Sequence, residues 1–411
     1  MAPSADRIES APTRAVQATL LVTATLSVMA GAIISPSLPA LQEHFAATPR
    51  VDYLTRFIVT MPSLFMAAAA PFVGYVIDKF GRRRLLLAAV FLYALAGTSA
   101  AVIDSITAIL VSRAFLGIAT AGIMTSVGTL IGDLFTGSAR DRMMGLRGAF
   151  SNFGGVIFLT LGGLLASAHW RAPFFIYLIA LLMVPFILRY IHEPKPEESR
   201  GHGGGAGTPI PWLPIVATYG AAFLFGAAFY MIPTQIPFHL REMGFPDPSL
   251  AGASMATSTL ATAIISIYFA RIKARMSPGV MFVLGFVFTS AGFAFIAAAT
   301  GLAAVFLGLA VFGIGMGLTT ANFSIRLLEL APRRIRGRIM GGQATSIMMG
   351  FFLSPLFSQP IAKTWSITAA FGVASIALAF AALAFGVFLL RVRQQTVWAN
   401  LRRLFGRAGQ S

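Results

Sequence analysis

Long apolar stretches separated by short polar segments run along the whole chain. Twelve stretches of about 20 mainly apolar residues can be drawn, which is the length at which an α-helix crosses a hydrocarbon layer of about 30 Å. They lie near residues 16–38, 53–77, 84–103, 105–131, 143–167, 172–191, 211–233, 249–270, 279–299, 303–325, 338–361 and 367–390. Each stretch is apolar on all sides, whereas the strands of a membrane barrel alternate in polarity over segments of about ten residues. The pattern predicts an all-α membrane protein with twelve transmembrane helices.

A polar segment rich in Gly and Pro, residues 193–211, divides the stretches into two sets of six. This composition is typical of a flexible linker, here expected in the cytoplasm. The two sets share a short sequence at related places, because Arg142–Gly145 (RMMG) opens the fifth stretch and Arg338–Gly341 (RIMG) opens the eleventh. The repeat predicts two pseudo-symmetric six-helix bundles, residues 1–192 and 212–390, an architecture typical of secondary transporters.

Composition and charge narrow the class of protein. Apolar residues make up 57% of the chain and charged residues 11%, against about 25% in soluble proteins, so a water-soluble enzyme is not expected. The chain has no Cys, which rules out disulfides and thiolate metal sites. The net charge of +17 comes from Lys and Arg concentrated in alternate loops, as the positive-inside rule describes, and not from one basic face that could bind nucleic acid. We expect a multi-pass protein of the cell (inner) membrane with both termini in the cytoplasm.

The C-terminal residues 391–411 form a basic tail after the last stretch. Val397, Trp398 and Leu401 fall on one face of a helix, with arginines nearby. This pattern predicts an amphipathic helix on the anionic inner leaflet, and a frayed soluble tail is the alternative.

The loop between the second and third stretches carries the most specific motif of the chain. Residues Gly74–Arg84 read GYVIDKFGRRR, which resembles the hallmark motif of the major facilitator superfamily, G-x-x-x-D-x-x-G-R-[RK]-[RK]. The resemblance implies the fold of that superfamily and a rocker-switch cycle, in which two bundles give alternating access to a central site. It also implies a small-molecule substrate, a lipid bilayer as surroundings and no enzymatic activity. We expect a monomer.

The same resemblance implies that this loop is a conformational latch that holds the cytoplasmic side shut. Gly74 lets neighbouring helices approach closely, and Gly81 permits a tight turn. The acid would face the N-terminal dipole of the eleventh helix, and Arg82 with Asp133 would extend the network. A basic topology anchor is the alternative for the arginines. The second half has Ala270 where the acid would fall, so we expect an asymmetric latch. The predicted latch residues are Gly74, Asp78, Gly81, Arg82 and Asp133.

Arg113–Gly117 in the fourth stretch resembles the second motif of the superfamily, R-x-x-x-G. The arginine lies a third to half of the way across the layer, where a guanidinium is costly unless it is paired or hydrated. It could bind an anionic group or modulate a proton site, or it could be a structural arginine bonded to backbone carbonyls. In the fifth stretch, Gly162–Gly163 keeps the double glycine of an element found in drug–proton antiporters of the superfamily, but the Gly-Pro pair of that element is missing.

Polar side chains inside the stretches are the remaining candidates for contact with substrate or for coupling. An amide or hydroxyl in hydrocarbon is costly unless it is bonded, so each either ties helices together or faces substrate. No acid lies plainly at the centre of a stretch, so a coupling acid would have to be Asp52, Asp104 or Asp133, or there is no proton coupling. The candidates are Arg113, Asn152, Tyr230, Gln235, Asn322 and Gln343.

The expected function is secondary active transport, with export of a small amphipathic or anionic compound as the first choice and the proton as the candidate coupling ion. The end of the first stretch, Ser35–Leu41 (SPSLPAL), resembles the Pro-x-Leu-Pro ending of efflux members. Uptake or facilitative uniport of a metabolite is the alternative, and a polytopic receptor or membrane enzyme is a distant one. We expect no cofactor and no metal, because the five histidines lack metal-ligand spacing and no phosphate-binding G-x-x-x-x-G-K-[ST] is present.

Overall fold

The computed structural model describes residues 13–193, 210–332 and 335–408. Within these ranges, the side chains left out of the description are those of Met29, Ala32, Asp78, Ala321 and residues 388–408. Every regular element in the described residues is a helix. Each of the twelve predicted stretches falls on a helical segment, which confirms the prediction of an all-α fold with two sets of six membrane helices.

The chain divides into two compact units, unit 1 from Met1 to Gly203 and unit 2 from Gly204 to Ser411. The division falls inside the polar segment that separates the two sets of stretches. Most of that segment, residues 194–209, lies outside the described residues.

Unit 1 contains the first six membrane segments. Its helices are α1 (Arg14–Ala32), α2 (Leu38–His44), α3 (Val51–Phe80), α4 (Arg82–Ser99), α5 (Ile106–Leu134), α6 (Gly137–Ala168) and α7 (Met183–Tyr190). A 3₁₀ turn, Ser35–Ser37, joins α1 to α2, and a 3₁₀ segment, Ala172–Leu182, runs into α7. In the core, α5 packs against α3 and α4, and α6 packs along α1.

Unit 2 contains the other six. Its helices are α8 (Trp212–Glu242), α9 (Pro248–Arg275), α10 (Pro278–Ala297), α11 (Leu302–Leu330), α12 (Arg336–Thr364) and α13 (Ile367–Ala408). Here α12 packs along α8, and α10 packs against α11 and α13. Because α13 continues as one helix to Ala408, no helix boundary separates the predicted tail from the last membrane segment. The side chains of that predicted amphipathic tail lie outside the described residues.

Most of these helices are suited to hydrocarbon by length and composition. In the described part of the chain, nine helices are long and apolar enough to cross a membrane. The three remaining segments are α1, α4 and α12. The apolar part of α1 is short, α4 begins with three arginines, and α12 carries glutamines and serines.

Polar caps determine where several helices begin. In each case the side-chain oxygen accepts an N–H group of the first turn, which has no partner inside the helix. The capping residues are Thr13 for α1, Ser105 for α5, Asp247 for α9 and Ser277 for α10.

Close helix contacts repeat in the two units at the same sequence register. In unit 1, a Cβ at Gly117 of α5 would overlap the carbonyl oxygen of Pro62 in α3. In unit 2, a Cβ at Gly313 of α11 would overlap the carbonyl oxygen of Ser258 in α9. The two glycines, and the two residues that they contact, are as far apart in sequence as the RMMG and RIMG repeats. These contacts support duplicated halves, because small residues at equivalent positions allow the same backbone approach.

Candidate functional site

The chain turns sharply at a glycine between α3 and α4. α3 ends at Phe80 and α4 begins at Arg82. Gly81 has φ +89° and ψ 159°, a conformation that residues with a Cβ rarely adopt. The turn therefore depends on glycine at this position.

The Arg82 side chain joins this turn to the end of α5. Its Nε donates to Oδ2 of Asp133 at 3.0 Å, and the two side chains are 20% and 32% exposed. Water screens a pair of this exposure, so its contribution to stability is about 0.2–1 kcal/mol. The structure thus brings two of the five predicted latch residues into direct contact.

A carboxylate from the end of unit 1 completes this arrangement. Glu193 follows α7, and its Oε1 and Oε2 accept the backbone N–H groups of Arg82 and Arg83 at 2.6 and 2.9 Å. These are the first N–H groups of α4, which have no acceptor inside the helix, and the helix dipole favours a negative charge beside them. We refer to Gly81, Arg82, Asp133 and Glu193 as the turn cluster.

Glu193 lies at the start of the predicted linker, and the sequence pattern predicted no role for it. A Cβ at Gly81 would lie 2.7 Å from the Glu193 carboxyl carbon, so the glycine also leaves room for the capping group. Arg83 adds a bond from Nη2 to the carbonyl oxygen of Leu188 in α7, at 2.6 Å. The sequence did contain a sign of this contact, because Glu193 follows the sixth stretch directly and lies on the same side of the layer as Arg82–Arg84. The sequence does not say which acid meets which arginine.

The other two predicted latch residues lie in the last turns of α3. The Asp78 side chain lies outside the described residues, so its contact with a helix dipole stays a prediction. Gly74 is described, and the close packing expected there is not found within unit 1, because a Cβ at that position would have no heavy atom within 4 Å. The tight approach to α3 occurs at Pro62 instead, where Gly117 of α5 packs.

Unit 2 lacks this combination of residues in its described part. In the register of the repeated contacts, Pro278 stands where unit 1 has Arg82, and Glu329 stands where unit 1 has Asp133. Glu329 lies 3.5 Å from Arg326 of its own helix. Pro278 and Glu329 therefore cannot form a counterpart of the Arg82–Asp133 ion pair at these two positions of unit 2.

Arg113 is fully buried in unit 1, with 0% of its surface exposed. Its Nη2 donates to the carbonyl oxygens of Ala96 and Gly97 in α4, each at 2.7 Å. The guanidinium carbon lies 5.3 Å from the ring centres of Phe174 and Tyr177. Of the two alternatives, these contacts match an arginine bonded to backbone carbonyls that ties α5 to α4. They leave no exposed surface for a substrate.

Two buried amides tie helices of unit 2 together. Gln235 of α8 donates through Nε2 to Oγ of Ser358 at 3.0 Å and to Oε1 of Gln359 at 3.2 Å, both on α12. Gln343 of α12 bonds to Oγ of Ser324 on α11, at 3.2 Å as donor and 3.4 Å as acceptor. Both amides therefore have partners inside unit 2, as expected of side chains that join helices.

The remaining candidates occupy separate environments. Asn322 donates through Nδ2 to the carbonyl oxygen of Pro278 at 2.6 Å, and its Oδ1 is buried without a hydrogen bond to another described residue. The Tyr230 ring stacks on Phe351 with their centres 4.1 Å apart. Asn152 of α6 is half-buried and forms no hydrogen bond with another described residue. Contact of these residues with a substrate stays a prediction.

An ionic cluster lies at the opposite end of unit 1 from the turn cluster. Asp104, just before α5, is bonded through Oδ1 to His44 and to Arg171, each at 2.6 Å. The hydrogen bond from His44, together with the charges of His44 and Arg171, lowers the pKa of the Asp104 carboxyl from its usual value. The Arg171 guanidinium lies 4.3 Å from the ring centre of Trp170. Asp104 is therefore paired with two side chains of unit 1, and a role for it as a coupling acid stays a prediction.

The described part of the chain does not form a metal centre, since no three or more of its His, Cys, Asp or Glu side chains are grouped so that they could hold an ion. The groups that it brings together are arginines, carboxylates and backbone N–H groups. Their chemistry is that of ion pairs and helix caps.

Comparison with known proteins gives matches along the whole chain and in parts of it. A family model described as Major Facilitator Superfamily matches residues 20–341 and 247–407. Bacillibactin exporter of Bacillus subtilis (strain 168) is 31% identical over 153 residues, 36% of this chain and 37% of that relative. Efflux pump dotC of Dothistroma septosporum is 28% identical over 211 residues, 50% of this chain and 34% of that relative. The chain thus covers little more than a third of the length of these curated relatives.

Solved structures resemble the chain over most of its length. The D-xylose-proton symporter has a TM-score of 0.72 at 16% identity, covering 90% of this chain and 96% of that one. A POT family transporter in complex with a thioalcohol conjugated peptide has a TM-score of 0.73 at 12% identity, covering 92% of this chain and 96% of that one. At these identities the likeness shows the fold alone.

Proposed function

The chain belongs to the Major Facilitator Superfamily, and we propose from this that it is a secondary active transporter, which moves a small molecule across the membrane by alternating access of its two units. The observation that carries the proposal is the turn cluster. It joins the ends of α3, α4, α5 and α7 through one ion pair and two capping hydrogen bonds. These helix ends would then move together as one body, as a rocker-switch cycle requires.

In this proposal the latch that the motif implies, with Asp78 facing the N-terminal dipole of the eleventh membrane helix, holds the cytoplasmic side shut. α12 begins at Arg336, and the side chain of its N-cap residue, Ile335, makes no capping hydrogen bond. The first N–H groups of a helix without a cap attract a carboxylate, and the helix dipole adds to that attraction. Loss of this contact would release the shut state.

Export is the proposed direction, and a small amphipathic or anionic compound is the proposed cargo. Support comes from relatives that are named as an exporter and an efflux pump. The proton is the proposed coupling ion, as the name of the D-xylose-proton symporter states for that protein of the same fold. Uptake or facilitative uniport of a metabolite is the second candidate, because the same fold serves a symporter.

The proposed setting is the cell (inner) membrane, with a monomer whose two termini face the cytoplasm. Support comes from the basic residues of the loops at the turn-cluster end, among them Arg82, Arg83 and Arg84. Basic loops of membrane proteins stay on the cytoplasmic side.

The test uses the full chain in liposomes, with ethidium as a cationic probe and carboxyfluorescein as an anionic probe. A pH step across the membrane should drive at least one probe against its gradient, and a protonophore should abolish that movement. Arg82→Gln should lower the maximal rate and leave the half-saturating concentration unchanged, because the residue holds helix ends and does not contact cargo. Asp141→Asn is the matched control, since Asp141 is exposed near the same helix ends and pairs with no other described residue.

Two outcomes would count against the proposal. A pH step that moves neither probe, in either orientation, would contradict proton-coupled transport of such compounds. If the probes moved only from the face opposite to the termini towards the face that carries the termini, the direction of transport would be uptake and not export.

A further inference from the structure

Arg147 places a positive charge well inside a membrane helix. It lies ten residues after Gly137, the start of α6, and the carbonyl oxygen that it contacts belongs to Met124, ten residues before Leu134, the end of α5. Both positions are about 15 Å from the helix ends at the rise of an α-helix. Helices of 29 and 32 residues exceed a 30 Å layer by roughly 7 and 9 Å at each end, so a guanidinium about 15 Å from the helix ends lies inside the hydrocarbon.

The guanidinium does not reach back towards the nearer surface. A long cationic side chain that faces lipid extends its charge to the interface. Arg147 extends sideways instead, since its Nη2 contacts the Met124 carbonyl oxygen at the same depth, at 3.3 Å. An arginine held at this depth points to a cavity or a ligand, because charges inside a bilayer face water-filled or polar space.

Most of the hydrogen-bonding capacity of this group is unused. A guanidinium has five N–H donors, and the Met124 carbonyl is the single acceptor of Arg147 among the described residues. The only acid of α5, Asp133, pairs with Arg82, and α1 contains no acid. Ser151, one turn further along the same face of α6, is half-buried and forms no hydrogen bond with another described residue.

In unit 2 the side chain at the equivalent position forms its hydrogen bonds within the unit. In the register of the repeated contacts, Gln343 stands where unit 1 has Arg147, and Ser324 stands where unit 1 has Gly128. In unit 2 this amide and this hydroxyl bond to each other at 3.2 Å. In unit 1 a Cβ at Gly128 would lie 3.0 Å from Nη1 of Arg147, so the glycine leaves space beside the guanidinium and offers no side chain to bind it.

A second pair of contacts supports this register. Arg140 of unit 1 donates through Nε to the carbonyl oxygen of Phe135 at 3.0 Å, and its counterpart Arg336 donates in the same way to Ala331 at 3.2 Å. The helix starts of α6 and α12 are therefore built alike. The two units differ a few residues further on, where unit 1 has Arg147 beside Gly128 and unit 2 has Gln343 bonded to Ser324. A shift of register does not explain this difference, because the preceding contacts align.

We propose that Arg147 and Ser151 form a binding site in unit 1 for the oxyanion group of the transported compound, a carboxylate, sulfonate or phosphate ester. The proposal rests on the proposed function only in taking the ligand to be cargo. A guanidinium binds an oxyanion through two parallel N–H···O bonds, and a hydroxyl can donate a third. Arg113, for which the sequence left this role open, is fully buried and bonded to backbone carbonyls.

The experiment measures binding at equilibrium to the full chain, purified in a neutral detergent without added lipid. The probe is 1-naphthalenesulfonate, and 1-naphthalenesulfonamide is its neutral match in size. Apparent Kd values come from thermal shifts over a range of probe concentrations. The wild-type protein should bind the sulfonate more tightly than the sulfonamide, and R147Q should weaken sulfonate binding about tenfold or more without changing sulfonamide binding.

Three variants keep the result interpretable. R147Q/G128S transplants the neutral pair of unit 2, so it should fold like the wild type and still lose the preference for the sulfonate. R147K keeps the charge without the planar fork and should give an intermediate Kd. R142Q removes an exposed arginine from the same helix and should change nothing.

Equal binding of the two probes by the wild type would overturn the proposal, and so would sulfonate binding that survives R147Q. A third arm adds short-chain phosphatidylglycerol or phosphatidylcholine in place of the probes. If phosphatidylglycerol raised the Tm of the wild type but not of R147Q, and the sulfonate raised neither, Arg147 would belong to a lipid-binding site and not to a cargo site. Binding is measured without a pH gradient, so its result does not depend on transport. A protein that binds the sulfonate but moves no probe would refute the proposed function and leave the binding site standing.

Discussion

Removal of the Glu193 carboxylate tests the turn cluster directly. In Glu193→Ala the first two N–H groups of α4, those of Arg82 and Arg83, lose acceptors that lie at 2.6 and 2.9 Å. Loss of an N-terminal capping acceptor costs about 0.5–2 kcal/mol, and loss of a charge beside an exposed helix N-terminus costs about 0.3–1 kcal/mol. Glu193 is exposed, so we expect about 1–2 kcal/mol in total. Glu193→Gln keeps one of the two acceptor oxygens, so it should lose the charge and one of the two capping hydrogen bonds.

Hydrogen exchange of the peptide that contains Arg82 and Arg83 is the assay. These amides have no acceptor within α4, so their protection depends on the capping carboxylate. A loss of about 1–2 kcal/mol makes exchange about 5–30 times faster, and Glu193→Gln should fall between wild type and Glu193→Ala. Asp141→Asn is the control for a lost charge at the same end of the unit. Unchanged exchange in Glu193→Ala, or an equal acceleration in the control, would refute the reasoning.

Three further changes test separate parts of the structure. Gly81→Ala puts a Cβ on a backbone with φ +89° and 2.7 Å from the capping carboxyl carbon, so we expect a loss of about 1–3 kcal/mol, measured as a lower Tm in detergent. Gly117→Ala forces a Cβ against a backbone carbonyl and should lower the Tm, whereas Gly74→Ala, with no atom within 4 Å, should change stability by less than about 0.5 kcal/mol; equal shifts would contradict the packing. Asp104→Asn removes a carboxyl with a lowered pKa. Such a group stabilises the fold above its unfolded-state pKa, and the stabilisation is lost as the pH falls through its folded-state pKa, below about 4. The variant should therefore melt lower than wild type at pH 7 and approach it in acid, and a difference independent of pH would argue against the bond to His44.

The helical architecture could be predicted from the chain because hydrocarbon imposes it locally. A backbone inside a bilayer must bond its N–H and C=O groups internally, so each apolar stretch of about 20 residues forms a helix. The ends of the helices were less predictable. α8 continues to Glu242, well past the predicted end, because Pro233 and Pro237 lie inside the helix and do not end it. α6 begins at Gly137, before its apolar part, because polar residues can continue a helix into water.

The motif at the junction of α3 and α4 could likewise be located in the sequence, since its turn requires glycine at one position, Gly81. Its partners could not. Asp133 was among the predicted latch residues, but Glu193 meets the start of α4 only because α7 ends beside it. For Arg113 the sequence left two roles open, and the choice depended on the carbonyl groups that α4 turns towards it.

The chain by itself thus determined that twelve membrane segments are helical and where its most specific motif lies. The tertiary structure alone decided which side chains meet, such as Gly117 with Pro62 in place of close packing at Gly74, and Arg147 beside Gly128. The physical reason is that a helix in hydrocarbon is apolar on every face, so its pattern has no strong period that marks the side turned towards a given neighbour. Pairing of polar groups then depends on how the helices pack, and that arrangement exists only in the folded chain.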